Sequence, residues 1–234
     1  MTVELGKIHA IFRYPVKSMA GEETDAASLG WYGIDGDRRF AFRRVNDQSG
    51  FPWLTASRLP ELLLFKPINT SPVYVRTPEG RELALHGEEL RAEISRRHGA
   101  EVQLMQLNQG IFDEASISLI SLATIRRIEQ EAGRLLEIQR FRPNLVVETL
   151  SEEPFAEDQW VGQCLVFGAE TEAPAMNVMM RDKRCVIINL DPATAQMDPR
   201  VMESAIRLNQ NNAGVYCTVT NTGVLAVGQR LSLR

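Results

Sequence analysis

Cysteine and histidine are scarce, at three residues each in 234, and this limits what metal chemistry the chain can support. Cys164, Cys185 and Cys217 are odd in number, lie far apart and include no CxxC pair, which excludes a zinc ribbon or an iron–sulfur site of the usual spacing. His9, His86 and His98 stand in no metal-ligand spacing. Long apolar runs are missing too. The N-terminus, Met1-Thr2-Val3-Glu4-Leu5-Gly6-Lys7, has no apolar signal core, and no later run approaches the ~18 residues of a spanning helix. Basic residues are not in excess. A formal net charge of −4 argues against nucleic-acid binding by the whole surface, while leaving room for a local basic pocket that takes an anion. GxSxG, HExxH, P-loop and GxGxxG signatures are also absent. These absences lead us to expect a soluble protein of the reducing cytoplasm, with neither membrane nor nucleic acid among its partners.

Hydrophobic content of 44% and charged content of 24% are ordinary globular values, enough for one large or two small domains. Ile8, Ala10 and Phe12 at period two predict a strand over Lys7 to Phe12, ended by Tyr14-Pro15-Val16-Lys17-Ser18. Arg39 to Arg43 predicts a second strand, with Phe40 and Phe42 on one face and Arg39 and Arg43 on the other. Short β runs are expected at Leu62 to Phe65, Val73 to Val75 and Leu83 to Leu85, and a short helix near Glu88 to His98. Between Ser116 and Gly133 the spacing of Leu122, Ile125, Ile128 and Ala132 predicts a helix with Gly133 just past its end. Strands follow at Asn144 to Glu148 and Cys164 to Phe167. Asp198-Pro199 reads as the start of a helix, and Tyr216 to Thr220 with Leu225 to Val227 as a hairpin about Asn221-Thr222-Gly223. The composition shift near residues 108 to 118 divides the chain into 1–110 and 111–234. The fold class expected is mainly β with a few helices.

The stretch Val178 to Pro192 sets Cys185 among Arg181, Asp182, Lys183 and Arg184, beside the apolar run Val186-Ile187-Ile188. Neighbouring cations favour the thiolate, the form that attacks or binds a soft metal; a free cysteine at the mouth of a β-forming run is equally a small packed hydrophobe. Lys17 and Ser18 can supply charge and a hydroxyl to a phosphate-like anion, or form a solvated loop. Arg38 and Arg39 point to opposite faces of an extended chain, so one of them lines a given pocket, unless they pair with Asp35 or Asp37 at the surface. Thr55 and Arg58 offer a hydroxyl and a guanidinium, or a solvated turn. In Arg142-Pro143-Asn144, proline fixes the backbone between two side chains rich in hydrogen-bonding groups, suited to an anion or pterin or to a stabilised turn. Glu157, Asp158 and Trp160 read as a structural loop.

Taken together, these segments resemble the MOSC family, the molybdenum-cofactor sulfurase C-terminal domain proteins, preceded by that family's N-terminal β-barrel domain. The resemblance rests on Tyr14-Pro15-Val16-Lys17-Ser18, Gly36-Asp37-Arg38-Arg39-Phe40, Leu54-Thr55-Ala56-Ser57-Arg58, Phe141-Arg142-Pro143-Asn144, Pro154-Phe155 with Glu157-Asp158 and Trp160, Arg184-Cys185 with Asp191-Pro192, and Gly214-Val215-Tyr216 with Gly228. These run in the family's order over nearly the whole chain. The resemblance implies a MOSC β-barrel plus an N-terminal β-barrel-like domain, with a molybdopterin-type molybdenum cofactor in the cleft between them. It implies Cys185 as catalytic residue and molybdenum ligand, and Lys17, Ser18, Arg38, Thr55, Arg58, Arg142, Asn144 and Arg184 as cofactor-binding residues. Pyridoxal phosphate binding is a further association at family level. The amidoxime-reducing branch, to which the chain is similar, implies reduction of small N-hydroxylated substrates. Without a ferredoxin-like extension before Arg234, that chemistry would need an external electron-transfer protein. The alternative is a carrier of persulfide sulfur, or of the cofactor itself, using Cys185. One departure from the pattern is the glycine that usually follows Asp-Pro, missing from Asp191-Pro192-Ala193-Thr194-Ala195.

Overall fold

The computed structural model describes residues 2–68, 73–170 and 172–234. Its centre is a closed β-barrel of seven strands. In spatial order these are β1 (Val3–Arg13), β11 (Leu145–Thr149), β10 (Ile117–Ser121), β14 (Asn212–Asn221), β13 (Ala175–Lys183), β12 (Cys164–Phe167) and β16 (Arg230–Leu233), with β16 returning to β1. All neighbours are antiparallel except β10 and β11. A parallel pair needs a crossover, and α2 (Leu122–Ala132) supplies it. Closure removes the free edges of an open sheet.

The barrel is filled by Ile117, Leu119, Leu145, Val147, Leu165, Phe167, Met176, Val178, Val215 and Leu231. The period-two expectation for β1 needs a correction. The register slips between Ile8 and Ala10, so Ile8 and Ile11 enter the barrel core while Ala10 and Phe12 turn outward to a second core under the helices. A bulge reverses which residues share a face. Gly6 lies at another slip, in the pairing of β1 with β16 between Glu4 and Gly6. A Cβ there would come within 2.0 Å of the Glu148 carbonyl oxygen.

The second core joins Phe12, Tyr14, Ile120, Val146 and Phe141 to Ile125 and Ile128 of α2 and to Val201 and Ala205 of α3 (Arg200–Asn209). Helix α2 begins at Leu122, six residues after Ser116. Ile117 to Ser121 is strand β10, buried throughout, and a doubly buried strand has no alternation to reveal it. Ser121 then caps the helix by accepting from the Thr124 amide, and Gly133 ends it in the left-handed conformation. Before α3, the Asp198 carboxylate accepts from the Arg200 amide, the expected first-turn contact.

The third core draws on residues 16 to 104 only: Val16, Met19, Phe42, Leu54, Phe65, Val75, Leu90, Ile94 and Val102, with Leu104 packed against it. It is built from β5 (Phe40–Arg44) paired with β9 (Val102–Gln106), the small sheet β6 (Lys66–Ile68), β7 (Tyr74–Arg76) and β8 (Glu82–Ala84), and α1 (Glu88–His98). Its chain enters from β1 and leaves into β10, and β2 (Glu22–Thr24) pairs with β1. Leu62 to Phe65 is not a strand. Pro60–Leu64 forms a 3-10 turn, favoured by proline in its first turn. The C-terminal hairpin also fails to form: β15 (Gly223–Ala226) pairs with β3 (Ala26–Gly30), which pairs in turn with β4 (Gly33–Ile34). Among the described residues, no helix is long and apolar enough to cross a membrane.

Candidate functional site

Where the third core meets one end of the barrel, a cavity of about 870 Å³ opens. Lys17, Arg38, Arg140, Arg142, Lys183 and Arg184 line it, against only Asp113, Glu114 and Asp182. A molecule of net charge −4 has thus gathered positive charge in one concave place, an arrangement that attracts and orients anions. Phe51, Trp53, Met105, Leu107, Ile111 and Phe112 form an apolar wall, in which the Trp53 and Phe112 rings meet edge to face at 4.7 Å.

Three polar residues of this cleft hold backbones that L-residues avoid: Ser18 at φ 65, Arg38 at φ 44 and Arg142 at φ 47. Such strain persists only where surroundings enforce it, and it concentrates at functional sites. Here the enforcing contacts are visible. Tyr14, fully buried on the strand end before Lys17, lies under both guanidiniums, 4.3 Å from Arg142 and 4.9 Å from Arg38. Its amide donates to Asp37 at 2.7 Å, and burial pushes its phenol well above the usual range.

Arg38, not Arg39, is the cleft arginine. Its guanidinium contacts Asp37 at 2.5 Å, Asp113 at 2.7 Å, the Asn144 side-chain oxygen at 3.0 Å and the Arg142 carbonyl at 2.9 Å. Arg39 turns outward to the carbonyls of Asn108 and Gly110. The surface pairing with Asp37 that the sequence allowed is a buried pair instead. Lys17 donates to the Phe112 carbonyl at 2.6 Å. Burial lowers its pKa, while Asp113 and Cys185 act the other way. Burial also pulls the Asp113 carboxyl upward, but Arg38 and Lys17 outweigh it and hold the group below the usual carboxylate range. Arg142 is the least satisfied. Its Nη1 donates to the Met19 carbonyl at 2.7 Å, but its buried Nη2 has no partner among the described residues, and burial and the Arg38 charge both disfavour its cationic form. A bound anion would relieve both deficits.

Cys185 is exposed and lines the same cleft, just past the end of β13. The apolar run after it is a 3-10 turn, Val186–Asn189, not a strand. Buried Arg140 fixes that turn by donating to the Asn189 carbonyl and the Asp191 carboxylate. The cations flanking the cysteine in sequence part company in space. Arg181 leaves for Asp158. Arg184 folds inward onto Asp182 and the carbonyls of Phe141 and Ala213. Lys183 alone lines the cleft without such partners among the described residues. Cys217 lies inside the barrel, where burial pushes its thiol up to about 12.

Thr55 lines the cleft, with its hydroxyl 2.7 Å from that of Ser57. Arg58 is exposed and forms no part of the lining. Asn144 is fully buried behind the wall, where it accepts from Arg38 and the Ser118 amide and donates to the Phe12 carbonyl. It braces the site from behind. Asp113, Ser118 and the apolar wall come from separate segments with no local pattern and are not legible in the sequence, while Asp182 and Tyr216 stand in the stretches Val178 to Pro192 and Gly214-Val215-Tyr216, which gave them no site role. Glu157 is fully buried, accepts from Ser121, and belongs to the scaffold. Among the described residues no cluster of three or more His, Cys, Asp and Glu side chains could hold a metal ion.

The fold and site together define a closed-barrel protein with a cationic cleft whose lining includes an exposed cysteine. Comparison supplies the family. The MOSC domain matches residues 89–232 and the MOSC N-terminal beta barrel domain residues 5–119, and the chain belongs to the MOSC family. Among solved structures, the YUAD protein from Bacillus subtilis is 15% identical, with 100% of this chain and 96% of that one covered at a TM-score of 0.53. YiiM from Escherichia coli is 12% identical, with 95% and 69% covered at a TM-score of 0.41. A sequence search of curated proteins finds no match.

Proposed function

We propose that the cleft binds a molybdenum–pterin cofactor, with the Cys185 sulfur as the protein's ligand to the metal, and that the protein reduces small N-hydroxylated substrates. The observation that carries this reading is the presence, in the lining of one cationic cavity, of a buried Arg142 nitrogen without a partner among the described residues and of an exposed cysteine. The donor set suits the group: Arg142, Lys17 and Ser18 meet the phosphate and pterin, a soft sulfur meets the metal, and Arg38 and Asn144 hold Arg142 in place through its carbonyl and the strand behind it. When bound, molybdenum supplies a two-electron redox centre for breaking an N–O bond. Overall, two electrons and two protons convert N–OH to N–H and water, the electrons coming from an external electron-transfer protein. The protein's part is to orient the substrate against the apolar wall of Trp53 and Phe112 and to supply protons.

Metal analysis and pterin fluorescence on protein from a cofactor-producing host test the reading. Wild type is expected to carry molybdenum and pterin in roughly equal amount to chain, and Cys185→Ala to lose molybdenum and all N-reductive turnover while keeping its fold. Wild type without either group, or turnover retained by the variant, overturns it. The solvent-exposed Cys185 thiol supports a second reading, sulfur transfer. A donor persulfide would pass its outer sulfur to Cys185 and leave as a thiol, adding one sulfur to the mass of the chain after incubation with a cysteine desulfurase.

A further inference from the structure

The reduction proposed above consumes two protons, and none of the residues assigned to the cofactor supplies them. Asp182 stands apart from those groups. It lies three positions before Cys185 at the end of β13, lines the cleft, and is only 1% exposed. Its polar contacts among the described residues fall on one oxygen: Oδ2 accepts from the Ser118 hydroxyl at 2.9 Å and lies 2.9 Å from Arg184 Nη1. Oδ1 has no partner among the described residues and is not among the buried orphan atoms, which leaves it open to the cleft. Arg184 does not require a carboxylate charge, because its Nε donates to the Ala213 carbonyl and its Nη1 to that of Phe141. Asp182 can therefore hold a proton on Oδ1 without stranding its neighbour.

Resting on that reading of the cleft, we propose that Asp182 is its proton donor, passing the Oδ1 proton to the oxygen that leaves as the N–O bond breaks. That oxygen already carries its own hydrogen and departs as water, the nitrogen takes the second proton from solvent to become N–H, the carboxylate left behind is reprotonated from solvent, and the two electrons come from the external redox protein. The groups facing Asp182 are Arg184 beside it, Ser118 on β10, Asp113 on the loop after β9, Arg38 ahead of β5, and Tyr216 on β14. Burial raises its pKa, Arg184, Ser118 and Arg38 work against the rise, and Asp113 adds to it. The same burial, with the Asp182 and Asp113 charges, raises Tyr216. Asp113, held ionised by Arg38 and Lys17, is unsuited to the role.

Two measurements on wild type and Asp182→Asn test the assignment, since Asn keeps an oxygen for Ser118 and Arg184. The first needs no cofactor. The infrared difference spectrum at pH 7 is expected to show a protonated carboxyl in wild type that the variant lacks; an ionised Asp182 at that pH overturns the proposal. In the second, turnover of an N-hydroxylated amidine with reduced viologen is followed against pH, alongside molybdenum and pterin content. A donor must be protonated, so wild-type turnover falls as pH rises through its pKa. Asp182→Asn is expected to retain both cofactor components and KM, to lose about 10²-fold in kcat, and to lose that alkaline limb. A variant with unchanged kcat, or with the limb intact, overturns the assignment while leaving the enzyme reading in place. A cofactor-loaded wild type without turnover overturns both.

Discussion

Helix α1 and the floor of the cleft both crowd arginine against carboxylate, with opposite consequences. On α1, Arg91 pairs with Glu88, Arg96 with Glu93 and Arg97 with Glu93, in the helical spacings i, i+3 and i, i+4. Most of these groups keep water on at least one partner, so each pair adds little and salt screens it. In the cleft, Arg38 with Asp37 is nearly dry. Burying such pairs costs desolvation energy that their attraction does not always recover, and breaking one leaves a charge with nowhere to go. The helix carries its charges for solubility and helix support. The cleft carries them at a cost that stability alone does not explain.

The contrast is broken most severely at Arg38. Arg38→Met removes the partner of Asp37 and Asp113 and one support of Asn144 at once. Urea denaturation is expected to show a loss of about 3–5 kcal/mol, the range for orphaning a buried charge, and pterin retention should fall with it. A midpoint close to wild type would mean that these contacts do not hold the cleft together.

Glu157 sharpens the comparison with a buried carboxyl that has no cation beside it among the described residues. Burial raises its pKa, against the pull of hydrogen bonds from Ser121 and Thr124 and from the backbone. A carboxyl raised on folding contributes stability that is present below its unfolded value of 4.5 and is lost as pH rises through the folded value, because the unfolded chain ionises freely there. Gln does not titrate. Thermal unfolding of Glu157→Gln and wild type should therefore diverge as pH increases above that point, with the variant gaining on the order of 1 kcal/mol per unit of raised pKa. A difference independent of pH would show that Glu157 is ionised in the folded protein.

The same division between local and long-range physics decides what the sequence reveals. Strands with one wet face and helices with glycine stops are local patterns, so α1, the body of α2, β12 and most of β1 are legible. β10 is apolar on both faces, β15 chooses β3 over its sequence neighbour, and the slip at Ala10 depends on closing the barrel; none of these is set by the residues nearby. In the site, Lys17, Ser18, Arg142 and Cys185 stand in recognisable short motifs, and the structure brings them to one cavity. Arg58 belongs to such a motif yet faces solvent. Asp113 carries no motif and Asp182 sits in the charged stretch before Cys185 with no role to mark it, and their burial beside arginine exists only after folding. The missing glycine after Asp191-Pro192 has a local answer: Ala195 takes the left-handed φ of 58 itself, a strain of about 1–2 kcal/mol.

The smallest effect belongs to the other side of the comparison. Replacing Glu88 and Arg91 together by Gln removes a contact of 2.5 Å and a second pairing, of Arg91 with Glu101 at 3.2 Å, yet both carboxylates and the guanidinium are already hydrated. The hydrogen bonds to Arg91 hold the Glu88 carboxyl below its usual range, but at such exposure the solvent takes over when they are lost. The urea midpoint is expected to stay within measurement error at physiological salt, and any small loss seen at low salt should vanish as salt is added. A salt-independent loss comparable to that of Arg38→Met would show that α1 is held by its charges and not by Leu90 and Ile94 packed in the third core.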